Sequence, residues 1–138
     1  KEISEYFLRG RNLLIAIGAR HLGEAVALAN DAGANVFARV LPTTISFRQA
    51  LKCSLSPSHL AVTRPFQGLH KGGIERALCK RWSINAVLCR QSGGLTQRLW
   101  QDICQEEKID LYLIARPRLP QIVEVSNSFE SLLNRISL

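Results

Sequence analysis

The chain has 138 residues, 46% of them apolar, which is enough for one domain with a core of its own. No apolar run reaches the roughly 18 residues needed to span a bilayer. The polar start Lys1-Glu2-Ile3-Ser4-Glu5 is no secretory leader, so a cytoplasmic protein without a membrane partner is expected. The net charge of +7 rests on 13 arginines against 5 lysines, and arginine is the better residue for bidentate recognition of carboxylate and phosphate.

In chain order, residues 2–10 read as a short lead-in helix. Leu13 to Ile17 is a continuous apolar run closed by Gly18, the pattern of a strand buried on both faces. Residues 21–32 carry Leu22, Ala25, Val26, Leu28 and Ala29 at helical spacing, with Gly33 as C-cap. Val36 to Leu41 is a second strand, stopped by Pro42. Thr44 or Ser46 is placed to cap a helix over 45–54. Ser58 to Arg64 is the third strand. The helix over 72–82 has Ile74, Ala77, Leu78 and Trp82 as its apolar stripe. Ala86 to Arg90 is the fourth strand, and residues 95–107 form a helix with Leu95, Leu99 and Ile103 inward. Leu111 to Arg116 is the fifth strand. Val123 ends a short extended segment. Asn127 or Ser126 then caps a last helix with Phe129, Leu132, Leu133 and Ile136 inward.

Strands alternating with helices imply right-handed crossovers. The expected fold is therefore α/β, a Rossmann-like or flavodoxin-like three-layer sandwich around a five-stranded, mainly parallel sheet. A strand order of 2-1-3-4-5 would place the crevice between strands one and three. The absence of an initiator Met suggests part of a longer protein. Residues 1–10 would be the lead-in and 11–138 the domain.

Three of the strands end in arginine, at Arg64, Arg90 and Arg116, each 26 residues from the last. Parallel strands put all three on the carboxyl edge, where open α/β sheets bind ligands. Gly18-Ala19-Arg20-His21-Leu22-Gly23 turns into a helix N-terminus, but it lacks the middle glycine of a dinucleotide fingerprint and also reads as an ordinary tight turn. The loop Pro65 to Gly73 is longer than a connection requires and holds Gly68, His70 and Lys71. Ser92-Gly93-Gly94 at the next helix start exposes successive N–H groups to an anion, or serves only as a Ser92 cap. Arg116-Pro117-Arg118 closes the set. No nucleophile–base pair, paired carboxylates or Walker motif is present, and the acidic residues fall mainly on helices, as solvated faces do. Cys53, Cys79, Cys89 and Cys104 lack metal-ligand spacing, so no metal is expected and the thiols read as reduced, mostly buried core residues. Without a basic stripe interleaved with aromatics, nucleic acid is not an expected partner.

At these loops the sequence resembles the carboxy-terminal half of the precorrin-6A reductase (cobalt-precorrin-6A reductase) family, the pyridine-nucleotide enzymes of corrin-ring synthesis. The matching residues are Ile15-Ala16-Ile17-Gly18-Ala19-Arg20-His21-Leu22, then Arg39-Val40-Leu41-Pro42, then Gly68-Leu69-His70 followed by Glu75-Arg76-Ala77-Leu78. They continue with Arg90-Gln91-Ser92-Gly93-Gly94 and Ile114-Ala115-Arg116-Pro117, all in order over roughly residues 11–137. The resemblance implies an NADPH-dependent oxidoreductase of cobalamin biosynthesis. It places Gly18, Ala19, Arg20, Ser92, Gly93 and Gly94 at the cofactor. Arg64, Gly68, His70, Arg90 and Arg116 would face a carboxylate-rich tetrapyrrole substrate. It also implies a companion amino-terminal domain, in cis or on another chain, with this chain one wall of the site and inactive alone. Arg90-Gln91 stands where the family has Lys-(Asp/Asn), which leaves a second reading open: a degenerate module that binds tetrapyrrole or nucleotide without reducing it.

Overall fold

The computed structural model describes residues 8–18, 20–64, 72–91 and 93–114. Among these, five strands alternate with four helices. The strands are β1 (Asn12–Ala16), β2 (Asn35–Val40), β3 (Leu60–Val62), β4 (Ala86–Arg90) and β5 (Asp110–Ile114). The helices are α1 (Leu22–Asp31), α2 (Thr44–Leu51), α3 (Gly73–Arg81) and α4 (Leu95–Glu107), and a 3-10 turn at Pro57–His59 leads into β3. The expected lead-in helix, except for the buried Leu8 and residues 9 and 10, lies outside the described residues. So do the Val123 segment and the last helix with Phe129, Leu132, Leu133 and Ile136.

All strand pairs are parallel, as the α/β reading anticipated. Their order, however, is β3-β2-β1-β4-β5 and not 2-1-3-4-5. Burial explains the correction. Ala86, Val87, Leu88 and Cys89 are all buried, so β4 takes the central place beside β1, in the register Leu13↔Ala86 to Ala16↔Cys89. The three-residue β3, half exposed, is relegated to the rim beside β2. A continuous apolar run needs cover on both faces, while a short, partly polar one tolerates an edge.

The helices cover both faces. Leu13, Ile15, Val36, Ala38, Val40 and Leu88 pack with Leu22, Ala25, Val26 and Ala29 of α1 and Ala50 of α2. On the opposite face Leu14, Phe37, Val87 and Cys89 meet Cys79 of α3 and Trp100, Ile103 and Cys104 of α4. The result is the three-layer sandwich expected from the alternation of elements. None of the described helices is long and apolar enough to cross a membrane.

Local chemistry accounts for the remaining differences. Gly33 does follow α1 at φ +87. The cap of α2 is Thr43, not Thr44 or Ser46: its backbone is extended and its Oγ1 accepts from the Ser46 N–H at 3.1 Å. On α3, Ile74 and Ala77 face water, while Glu75 and Cys79 point inward. The expected stripe is rotated because an ionic partner on β2 draws Glu75 into the interior. Leu95 on α4 is likewise exposed, with Trp100, Ile103 and Cys104 forming the buried stripe.

The amino edge of the sheet is closed by a polar ladder. Asn35 Nδ2 donates to Asn12 Oδ1 at 2.9 Å, and Asn12 Nδ2 donates to the Ser83 carbonyl at 2.9 Å. Asn85 Oδ1 accepts from the Asn12 N–H at 2.9 Å and from Arg11 Nε at 3.1 Å. Arg11 also reaches Asp110 Oδ2 at 2.6 Å. These bonds satisfy backbone groups where four neighbouring strands begin.

Candidate functional site at the β1/β4 switch

The strand order fixes where the crevice lies. β1 has β2 on one side and β4 on the other, and α1 and α4 leave their strands on opposite faces. The loops after β1 and β4 therefore diverge, and the opening between them is the topological switch point. This replaces the expected crevice between strands one and three. It also brings the two glycine-bearing loops together, which the expected order would have separated.

Gly18 and Gly93 line this opening from the two sides. Their φ values are +91 and +71, a left-handed backbone that favours glycine. A Cβ added at either would meet nothing within 4 Å. The space a side chain would fill is thus open to a ligand oxygen approaching main-chain N–H groups. Gly94 is the N-cap of α4, whose dipole favours an anion at this end. The Gly93 N–H donates to Gln97 Oε1 at 2.7 Å, so the helix's own carboxamide oxygen occupies that donor. Gln97 was missed in the sequence reading. Its signal was its place three residues after the cap, the spacing of a capping box.

Arg90 ends β4 and crosses the floor of the opening: its Nε donates to the Ile17 carbonyl at 3.3 Å. The Gln91 N–H to the Ile114 carbonyl, 2.8 Å, ties the same loop to β5. Burial foremost, and then the like charge of Arg20, lowers the Arg90 pKa. Arg20 itself is exposed on the loop after β1. Two guanidinium groups near enough to repel, beside left-handed glycines and a helix N-terminus, make this part of the carboxyl edge positively charged, and groups of this kind suit carboxylate or phosphate.

Arg64 lies at the same edge but two residues beyond the rim strand β3. Three strand spacings separate β3 from β4, about 14 Å. Arg64 therefore shares the edge with Gly18 and Arg90 but follows a strand two places from β1 and three from β4. Ala19, Gly68, His70, Ser92 and Arg116 lie outside the described residues.

The sequence reading placed Arg39 and Glu75 in separate motifs and did not pair them. Arg39 of β2 and Glu75 of α3 form an ion pair at 3.1 Å, with side-chain exposures of 8% and 0%. The Arg39 guanidinium also lies 6.0 Å from the centre of the Trp100 ring. Arg39 follows Ala38, which pairs with Ile15, so it shares a row with Ala16 and Cys89 directly beneath the crevice. Glu75 had read with the other helix acids as part of a solvated face. Burial, the largest effect, lowers the Arg39 pKa, and Glu75 opposes it.

Among the described residues no group of three or more His, Cys, Asp or Glu is arranged to hold a metal. The cysteines are free thiols. Cys79, Cys89 and Cys104 are pushed up to about 12, mainly by burial. They are core residues, not nucleophiles.

A doubly wound, all-parallel sheet covered by helices on both faces defines a Rossmann-like α/β sandwich. Residues 1–137 match the family model described as Precorrin-6x reductase CbiJ/CobK, and the chain belongs to that family. It is 30% identical over 113 residues to a cobalt-precorrin-6A reductase of Synechocystis sp., across 81% of this chain and 41% of the relative. The chain thus spans about two-fifths of the length of that curated relative. The resemblance read from the ordered loop motifs is borne out.

Proposed function

We propose that this chain is the tetrapyrrole-binding portion of an NADPH-dependent precorrin-6A or cobalt-precorrin-6A reductase of cobalamin biosynthesis, contributing part of the cofactor site. The observation that carries this reading is the recess at the β1/β4 switch. It combines Arg20 and Arg90 with two left-handed glycines that leave open space above their backbones. A corrin precursor carries many acetate and propionate carboxylates, and NADPH carries phosphates. Guanidinium groups and helix-terminal N–H groups suit both. Gly18, Arg20, Gly93 and Gly94 are assigned to the cofactor's anionic groups, with Ala19 and Ser92 completing those loops. Arg90 faces the ring's carboxylates, with Arg64, Gly68, His70 and Arg116 as further contacts along the edge. NADPH supplies the hydride when bound, and the chain's own residues orient and hold charge.

The chain alone should bind without reducing. Hydride transfer needs donor and acceptor carbons about 3–3.5 Å apart, and one wall does not hold two large ligands that closely. Titrating the purified chain with NADPH, with precorrin-6A, and with both tests the reading. Saturable binding of the ring that Arg90→Ala weakens supports it. Indifference of both ligands to Arg20→Ala and Arg90→Ala overturns it. The substitution of Arg90-Gln91 for the family's Lys-(Asp/Asn) favours one second reading, a binding module without reductase activity. A full-length form that binds both ligands yet turns over neither would establish it.

A further inference from the structure

The second helix is packed unlike the others. α1 buries Leu22, Ala25, Val26 and Ala29, and α4 buries Trp100, Ile103 and Cys104, but α2 buries Ala50 alone. Its large side chains are turned to water: Ile45 is 75% exposed, Leu51 63% and Phe47 44%. The cause is position. α2 joins β2 to the three-residue rim strand β3, which gives it little sheet to cover. Single exposed apolar residues need no explanation, but three on a helix of 8 residues mark a surface with a use.

Charge narrows that use. Residues 32–74 contain no Asp or Glu, and Arg48 and Lys52 stand exposed within them. Arg11, Arg39 and Arg76 each have a carboxylate partner, whereas Arg48 and Lys52 have none among the described residues. Ile45, Arg48 and Lys52 follow at i, i+3 and i+7, and Phe47 and Leu51 are four apart, so cations and apolar groups form adjoining rows. A second copy on this face would set Arg48 and Lys52 against themselves. Protein interfaces are depleted of lysine, and this face interleaves its cations with its apolar groups. A bilayer surface meets both features: apolar side chains enter the acyl boundary while long basic ones keep their heads at anionic phosphates. The expectation of no membrane partner rested on the lack of a spanning run and of a leader, and a peripheral surface needs neither.

We propose that α2 is a peripheral docking surface for an anionic lipid bilayer. Ile45, Phe47 and Leu51 insert at the headgroup boundary, and Arg48 and Lys52 meet the phosphates. The proposal does not depend on what binds at the β1/β4 switch.

The test is sedimentation of the 138-residue chain with vesicles of phosphatidylglycerol and, separately, of phosphatidylcholine. The chain should pellet with the first and stay in solution with the second. A chain of net charge +7 also adsorbs to anionic surfaces by charge alone, so the variants decide. Arg48→Glu with Lys52→Glu should weaken binding about 25-fold or more, since each basic residue near such a surface is worth about fivefold. Ile45→Ser with Leu51→Ser should weaken it about tenfold through lost apolar burial. Leu95→Ser, at a half-exposed leucine of α4, should change nothing. All five positions are exposed, so circular dichroism should show unchanged melting. Phe47→Trp should be quenched by lipid brominated on its acyl chains, while Trp82 and Trp100 of the parent, half-buried and buried, should not. Failure to bind phosphatidylglycerol vesicles overturns the proposal. Parental binding by Ile45→Ser with Leu51→Ser does so too, because charge alone would then hold the chain. Adsorption of Phe47→Trp without quenching would give the contact to another face and is equally fatal. A doubled sedimentation mass without lipid, abolished by the serine pair, would assign the face to a second copy instead.

Discussion

Arg39 donates to Glu75 across 3.1 Å between β2 and the first turn of α3, and neither side chain has appreciable access to water. The pair fastens α3 to β2 just before the chain enters β4, and it turns Cys79 inward with Glu75, four residues apart. Removing one partner strands a charge in the interior. Glu75→Ala or Arg39→Ala should therefore cost about 3–5 kcal/mol. The double replacement Arg39→Met with Glu75→Leu should recover most of that loss, since a packed apolar pair of similar volume costs little. Urea unfolding followed by circular dichroism measures all three. A single variant as stable as the parent would show that the pair contributes nothing.

The sequence foretold element types well, because period and punctuation report on local structure. Leu13 to Ile17 closed by Gly18 and Ala86 to Arg90 fell within a residue of the observed strands. Strand order was misread because it depends on competition for central places in the sheet. Nothing local in Ser58 to Arg64 says that only three of its residues pair, at the rim. Arg39 and Glu75 illustrate a second limit. Each looks like a surface charge in its own segment, and their pairing links residues 36 apart in the chain. The recess was half legible. Both glycine loops and Arg90 were identified, yet Arg64 was grouped with them until the sheet order placed it at the far rim.

The recess sets an order of effects among its arginines. Arg90→Ala should weaken binding of a polycarboxylate ring by about 1.5–3 kcal/mol, or roughly 10–150-fold, if the guanidinium makes a charge-assisted hydrogen bond. Arg20→Ala should cost less, because it also relieves the repulsion that lowers the Arg90 pKa. Arg64→Ala should cost least, being three strands away. Calorimetric titration gives the ranking, and a larger loss for Arg64 than for Arg90 would move the site to the rim. Binding should also weaken between about 0.05 and 0.5 M salt, because exposed charges are screened over roughly 10 Å or less in that range.

The polar ladder at the amino edge should contribute to stability and not to binding. Asn85→Ala removes the acceptor shared by the Asn12 N–H and Arg11 Nε. Its expected cost is about 1–3 kcal/mol, the penalty for polar groups that lose a partner, moderated by water reaching this edge. Affinity for the ring should be unchanged, since the ladder lies at the opposite end of the strands from Arg90. A variant that lost affinity while keeping its melting temperature would contradict that separation.

The thiols predict how stability responds to alkali. In the folded chain Cys79, Cys89 and Cys104 are raised from 9.0 to about 12, burial being the main cause in each. Once unfolded, each ionises near 9. Between those values the unfolded chain holds fewer protons than the folded one, so stability falls as pH rises. The stability is fully present below about pH 9 and is lost progressively towards pH 12. The slope approaches about 1.4 kcal/mol per pH unit for each thiol. Tyr112, also raised chiefly by burial, adds to the fall in the same direction. Denaturant unfolding at pH 8, 9 and 10 should show the slope steepening, and Cys104→Ala, compared with its own value at pH 8, should be less steep. At pH 8 a thiol with a pKa near 12 is ionised in only about one molecule in ten thousand. A disulfide reagent should therefore modify Cys53, the partly exposed thiol, well before the other three. Rapid loss of all four thiols from the folded chain, at a rate exceeding that of unfolding, would show that this core is open to solvent.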